Sequence, residues 1–303
     1  SHPGNWRGAL LPITRGASLA VVTMAQYPPK IGQSKRSKMS PGAVCSGMIK
    51  RILVPLDRSR YTSAAIETAC AIAKANHAEL EGIVVAPILA TSGMEKLRDE
   101  TLAAFRAQCA AHNIIHRESR RNGLLGPEIL AEARTFDLIV MGLRTHYHLT
   151  NPDTEGETLT RLLAATTSTP ILAVPPGDSV SFERVLIAYD GSVPAARALR
   201  EFARIAQQLD DPEVTIVCCD PLLMKSDMLV NEAEEYLKAY SFGRIETATC
   251  VESLHDFVTE NYLEDTDLVV AGIHAKSTMR EFFVGSFTKS LIEQGQTALL
   301  LAH

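Results

Sequence analysis

The sequence predicts an α/β chain built as two tandem doubly wound domains, each a five-stranded, mostly parallel sheet flanked by helices. Three observations carry this expectation. Apolar runs of strand length alternate with longer amphipathic stretches, the pattern of a parallel sheet covered on both faces. The whole order of elements then returns once along the chain. The landmarks of the two passes, Asp57 and Asp190, Gly142 and Gly272, Gly156 and Gly285, keep a nearly constant offset of about 130 residues, which marks an internal duplication.

Residues 1–47 are rich in Pro, Gly, Ser and basic residues without a sustained period and are expected to lie outside the folded body. Their Arg-rich, acid-free composition is also that of an organelle transit peptide, and Gly8-Ala9-Leu10-Leu11 has something of a secretory core. Arg15 interrupts that apolar part and Pro12 breaks any helix, so a start further upstream is as consistent. From Met48 the first pass begins. Ile49 to Leu56 is an apolar strand ending at Asp57, and Ser63 to Ala75 an alanine-rich amphipathic helix. Leu80 to Ala86 is the second strand, Met94 to His112 a long helix, and Ile114 to Arg120 the third strand. Gly126 to Thr135 reads as a helix with Pro127 in its first turn. Asp137 to Met141 is the fourth strand, closed by Gly142; Leu159 to Ala165 is a helix and Pro170 to Val174 the fifth strand. Pro175-Pro176-Gly177-Asp178 has the composition of an inter-domain linker.

The second pass repeats the first. Phe182 to Tyr189 is a strand closed by Asp190, Ala195 to Leu209 a helix, and Val214 to Cys219 a strand. Leu229 to Tyr240, Arg244 to Cys250 and Ser253 to Tyr262 follow as helix, strand and helix. Asp267 to Ala271 is a buried strand ending at Gly272, Ser286 opens the helical pattern Phe287, Leu291, Ile292, and Ala298 to Ala302 closes the sheet. The domains are expected over 48–175 and 181–303.

Composition narrows the function. The chain of 303 residues is 46% hydrophobic, enough for two well-filled cores. Residues 48–303 hold 24 basic and 35 acidic side chains, which argues against broad binding to a nucleic-acid backbone. No apolar run reaches transmembrane length. The six cysteines, Cys45, Cys70, Cys109, Cys218, Cys219 and Cys250, show no C-x-x-C pair and no metal-ligand spacing, as in a reducing cytoplasm. Cys218 and Cys219 point to opposite faces of a strand and are expected to be core residues, not a redox pair.

In a doubly wound sheet, ligands bind beyond the carboxyl ends of the strands, where Asp57, Asp190, Gly142 and Gly272 all fall. Glycine lets backbone N–H groups approach an anion, and a helix N-terminus adds unpaired donors with partial positive charge. The same glycines are equally compatible with an ordinary turn, and Ser286 with an ordinary N-cap. The spacing adds a second signal. Gly272, two residues, Ala275, nine residues, then Gly285-Ser286 resembles the G-x2-G-x9-G-[ST] signature of the universal stress protein family, with alanine at the second glycine. Asp267-Leu268-Val269-Val270 before it and Gly285-Ser286-Phe287-Thr288 at its end also resemble the family pattern.

That resemblance implies an adenine-nucleotide site in the second copy, taking ATP, or ADP or AMP, with Mg as a possible companion. Asp190 is similar to the acid on the nucleoside side, with a turn or helix-cap role as its alternative. Cys219 is similar to the position whose backbone meets adenine. Gly272, Ala275, Gly285, Ser286 and Thr288 would hold the phosphates, and Lys276 and Arg280 lie on the loop between. The first copy departs from the signature: Thr145 stands at the second glycine, the loop is one residue longer, and Gly156 is followed by Glu157. With Asp153 and Glu155 also there, a triphosphate would meet negative charge. His146 and His148 flank Tyr147, a spacing open to a metal or pH-sensitive patch but more often simply solvated. No catalytic residue and no metal site is expected; no P-loop, nucleophile elbow or zinc-protease helix occurs, and nothing resembles a catalytic base beside a nucleophile. The resemblance implies a cytoplasmic, stress-related, nucleotide-gated binding role with at most slow turnover. It also implies pairing of domains through their last strands, Pro170–Val174 and Ala298–Ala302, within the chain as a pseudo-dimer or between chains as a homodimer. The rival readings are an ATPase on the same scaffold and a nucleotide-free scaffold for an apolar small molecule or protein.

Overall fold

The computed structural model describes residues 48–144, 158–164, 168–273 and 286–303. The strands are β1 (Arg51–Pro55), β2 (Glu79–Ala86), β3 (His116–Asn122), β4 (Leu138–Gly142) and β5 (Ile171–Val174), then β6 (Arg184–Ala188), β7 (Glu213–Cys219), β8 (Arg244–Cys250), β9 (Leu268–Gly272) and β10 (Ala298–Ala302). The helices are α1 (Thr62–Asn76), α2 (Ser92–Ala111), α3 (Leu125–Ala133), α4 (Thr158–Ala164), α5 (Val193–Ala206), α6 (Leu223–Ala239), α7 (Leu254–Asn261) and α8 (Ser286–Gln294).

The ten strands form one sheet in the order β3-β2-β1-β4-β5-β10-β9-β6-β7-β8. Each half is parallel throughout, and the halves meet where β5 and β10 pair antiparallel, Leu300 opposite Leu172. The last-strand pairing expected either within or between chains is thus made inside this chain. Alternation along the strands separates two cores. Val54, Ile187 and Leu300 face the layer of α1, α2, α5 and α6, whereas Leu53, Leu186 and Leu299 face α3, α4, α7 and α8. The halves are also pinned outside the sheet. Asn76 Nδ2 donates to the carbonyl of Ile205 at 3.3 Å, and the Val180 N–H donates to Thr68 Oγ1 at 2.9 Å.

Local chemistry explains the element ends. Ser192 caps α5, its Oγ accepting from the Ala195 N–H at 3.2 Å, and Pro194 sits in the first turn, where no N–H is needed. The buried stripe Ala195, Ala198, Leu199, Phe202, Ala206 then seats the helix on the sheet. The aspartate just before the fourth strand of each half ties down the start of that half's first strand. Asp137 Oδ2 accepts from the N–H groups of Lys50 and Arg51, and Asp267 Oδ2 from that of Arg184 at 3.0 Å. Most element ends shift by one to three residues from the expectation, and two shifts have a local cause. β3 begins at His116 rather than Ile114, because the chain leaves α2 through Asn113 in the left-handed region (φ 56°). α6 begins at Leu223 rather than Leu229, because Asp220 Oδ1 accepts from the Leu222 N–H at 2.9 Å and turns the chain early.

Candidate functional site at the carboxyl ends of β6, β7 and β9

In the second half the chain runs from β6 to β7 and β8 on one side, then crosses to β9 and β10 on the other, so the switch point lies between β6 and β9. Ala188 pairs with Ala271 there, which brings Asp190 and Gly272 to opposite lips of one crevice. Asp190 is exposed, and its Oδ1 accepts from the Ser192 N–H at 2.9 Å, closing an Asx turn over Gly191 (φ +75°). The alternative turn role of Asp190 is therefore present.

The first-half counterpart differs. Asp57 is only 3% exposed; its Oδ1 accepts from the Ser59 N–H at 3.0 Å, from Ser59 Oγ at 2.7 Å and from Thr62 Oγ1. Asp57 is buried in its own turn, whereas Asp190 is an exposed residue just past the end of β6.

Gly272 has a packing reason. A Cβ there would fall 2.3 Å from the Ala195 nitrogen and 2.5 Å from the Pro194 carbonyl carbon, so the end of β9 touches the backbone of the α5 N-terminus. Ser286 is the exposed first residue of α8, while Thr288 is 4% exposed and turned toward the core with Phe287 and Leu291. Ala275, Gly285, Lys276 and Arg280 lie outside the described residues, as do Thr145, His146, Tyr147, His148, Asp153, Glu155, Gly156 and Glu157 of the first half.

Cys219 requires a correction. It is not a core thiol but forms a disulfide with Cys250, its register partner at the end of β8, with Cα atoms 4.5 Å apart. Cys218, pointing the other way, stays a buried free thiol, and burial pushes its pKa up. The two adjacent cysteines are thus not paired with each other, as expected, but one of them has a partner 31 residues on. Beside the bridge, Lys225 Nζ meets Asp220 Oδ2, and this hydrogen bond, with the Leu222 N–H, holds the Asp220 carboxyl below its ordinary range.

A second feature was invisible in the sequence. His255 Nε2 lies 2.8 Å from Ser290 Oγ, and its Nδ1 lies 3.1 Å from Asp256 Oδ1. A base therefore does stand beside a hydroxyl, against the expectation. Ser290 sits within α8, however, where the backbone N–H groups are committed to the helix and offer no oxyanion donors. The contact ties α8 to α7. Among the described residues, no group of three or more His, Cys, Asp or Glu is placed to hold a metal, and no helix is long and apolar enough to cross a membrane. Two cavities lie away from the crevice. One of about 510 Å³ sits at the amino ends of β6, β7 and β8 beside Arg184 and Arg244, and one of about 430 Å³ lies along α5 beside Arg200 and Tyr236.

Comparison with known proteins fits this architecture. The family model described as "Universal stress protein family" matches twice, over residues 48–174 and 181–303. A universal stress protein from Archaeoglobus fulgidus DSM 4304 superposes with a TM-score of 0.67 at 18% identity, covering 83% of this chain and 97% of that one. A functionally unknown protein from Pseudomonas aeruginosa PAO1 superposes at 0.58 with 14% identity, covering 84% and 92%. The cytoplasmic domain of a prokaryotic cation chloride cotransporter reaches 0.52 at 8% identity, covering 84% and 95%. At these identities the likeness is one of fold. No curated protein matches the chain. With its model matched over both halves, the chain belongs to the universal stress protein family.

Proposed function

We propose that the second half binds an adenine nucleotide, ATP foremost, and that the protein works as a nucleotide-dependent binding or regulatory module of a stress response in the cytoplasm. The observation that carries this reading is the contrast between the two acids: Asp190 is exposed at the switch point, whereas Asp57 is buried in its own turn. Asp190 would accept hydrogen bonds from the nucleoside, and the backbone at Cys219 would meet the adenine edge. Ser286 and the α8 N-terminus, with Gly285 and Ala275 on the loop before it, would hold the phosphates and an accompanying Mg; Gly272 shapes the floor and Thr288 seats the helix from below. The domains divide at the Pro175–Asp178 linker, and the antiparallel β5–β10 join makes the chain its own pseudo-dimer; a homodimer would then use other surfaces.

The test is equilibrium binding of ATP, ADP and AMP to the purified full chain, with and without Mg. Asp190→Ala and Gly285→Asp are expected to weaken binding by about tenfold or more, while Asp57→Ala leaves it unchanged. Equal binding by all variants, or loss with Asp57→Ala alone, overturns the assignment.

One observation favours a second reading, a site for an apolar small molecule or protein. Large apolar side chains stand exposed around the carboxyl ends of both halves, among them Leu89, Leu124, Leu222, Met224 and Val251, which are 59% to 89% exposed. Absence of nucleotide binding together with uptake of an apolar dye lost on Leu222→Ser, Met224→Ser would favour it.

A further inference from the structure

We propose that Cys219 and Cys250 form a reversible thiol–disulfide site through which a dithiol reductant weakens nucleotide binding in the second half; the inference rests on the nucleotide reading above. The bridge joins the last residues of β7 and β8, the register pair at the rim of the crevice. The register-equivalent pair in the first half is Val85 and Arg121, which has no sulfur, so the device belongs only to the half whose first-strand acid, Asp190, is an exposed residue. Beyond the bridge the strands diverge into two segments, exposed over Pro221 and Leu222 and over Val251 to Ser253. Asp220 to Leu222 leads into α6, Val251 to Ser253 leads into α7, and a single backbone bond, Asp220 N–H to the Cys250 carbonyl at 3.0 Å, links the first to the end of β8. The covalent tie therefore fixes the backbone of the residue assigned to the adenine edge. Opening it leaves the seven-residue ladder of β7 and β8 intact and frees only this rim.

Access decides which sulfur is attacked. Cys219 is partly exposed, whereas Cys250 is 6% exposed. A thiolate of the dithiol attacks Cys219 Sγ; the protein S–S bond breaks, and its electron pair leaves on Cys250 Sγ, which takes a proton from solvent. The second thiol of the reductant, as thiolate, then attacks its own sulfur in the mixed disulfide and releases Cys219. The dithiol departs oxidised, having delivered two electrons. A low-molecular-weight disulfide reverses the sequence and is itself reduced. Cys70, Cys109 and Cys218 are buried free thiols and take no part.

The experiment uses the full chain prepared in both states. Alkylation without denaturant, read by peptide mapping, is expected to label Cys219 and Cys250 only after dithiol treatment; labelling of either one before treatment, or of neither after it, overturns the proposal. ATP affinity is expected to fall several-fold on reduction and to recover on reoxidation. The double variant Cys219→Ser, Cys250→Ser is expected to show the reduced-form affinity and no response to dithiol. A wild-type affinity that does not move although alkylation shows the bridge open overturns the proposal, and so does a response retained in the double variant. If neither state binds nucleotide, the nucleotide reading fails, and amide hydrogen exchange judges the bridge alone. Faster exchange at Leu222 and Val251 on reduction keeps it as a rim switch, and unchanged exchange ends it.

Discussion

Leu300 of β10 lies opposite Leu172 of β5 in the one antiparallel pairing among the described residues, and both side chains are essentially buried. Every other strand pair is parallel, so this contact is where two repeated halves become one sheet. Truncating Leu300 removes apolar contact at the seam and leaves a cavity that strands on both sides cannot close. Leu300→Ala is expected to cost about 2–5 kcal/mol in urea unfolding, with the two halves still unfolding together. Separate transitions for the halves would show that the seam does not couple them.

The second expectation concerns Gly272, whose missing Cβ makes room for the backbone of Pro194 and Ala195. Backbone cannot rotate away as a side chain can, so the strand end or the helix must shift. Gly272→Ala is expected to destabilise the protein by about 1–3 kcal/mol with no nucleotide present. If stability without nucleotide is unchanged and only ATP binding falls, the glycine serves the ligand and not the packing.

Much of this architecture was legible in advance, because period and punctuation are local. Apolar runs closed by Asp57, Asp190, Gly142 and Gly272 marked the strands and their ends, and the constant offset between landmarks revealed the duplication. What escaped was tertiary. Cys219 and Cys250 are 31 residues apart and meet only because β7 and β8 pair in that register. His255 and Ser290 meet only where α7 packs on α8. The early start of α6 was hidden because Leu222, Leu223 and Met224 are exposed and carry no helical period. Gly272 was visible as a glycine, but its reason lay in the backbone of another element.

The third expectation is thermodynamic and independent of ligand. The Cys219–Cys250 bridge closes a loop of 31 residues that contains all of α6. On the chain-entropy account, opening it restores about 3–4 kcal/mol of freedom to the unfolded chain. Cys250→Ser and dithiol treatment of the parent are expected to lower stability by similar amounts, and dithiol is expected to leave the variant unchanged. A midpoint that does not move on verified reduction would mean that the unfolded ensemble keeps the two strand ends together.

The last expectation is a pH dependence. Glu81 is 9% exposed on β2, and its carboxyl is pushed above its ordinary range first by burial and then by the nearby Glu132, with Arg51 opposing the shift. A carboxyl raised on folding binds its proton more tightly in the native state than in the unfolded chain. Ionised Glu81 therefore costs stability at neutral pH, and the cost is relieved as pH falls through the native-state value toward the unfolded value of about 4.3. Glu81→Gln mimics the protonated form in size and removes the charge, though it also removes the contact with Arg51 at 3.5 Å. The variant is expected to be more stable than the parent at pH 7 in urea titrations, and the advantage is expected to shrink to nothing below about pH 4, where the parent is protonated in both states. An advantage that persists unchanged at low pH would trace the effect to packing, and a loss of stability at pH 7 would show that the Arg51 contact outweighs burial.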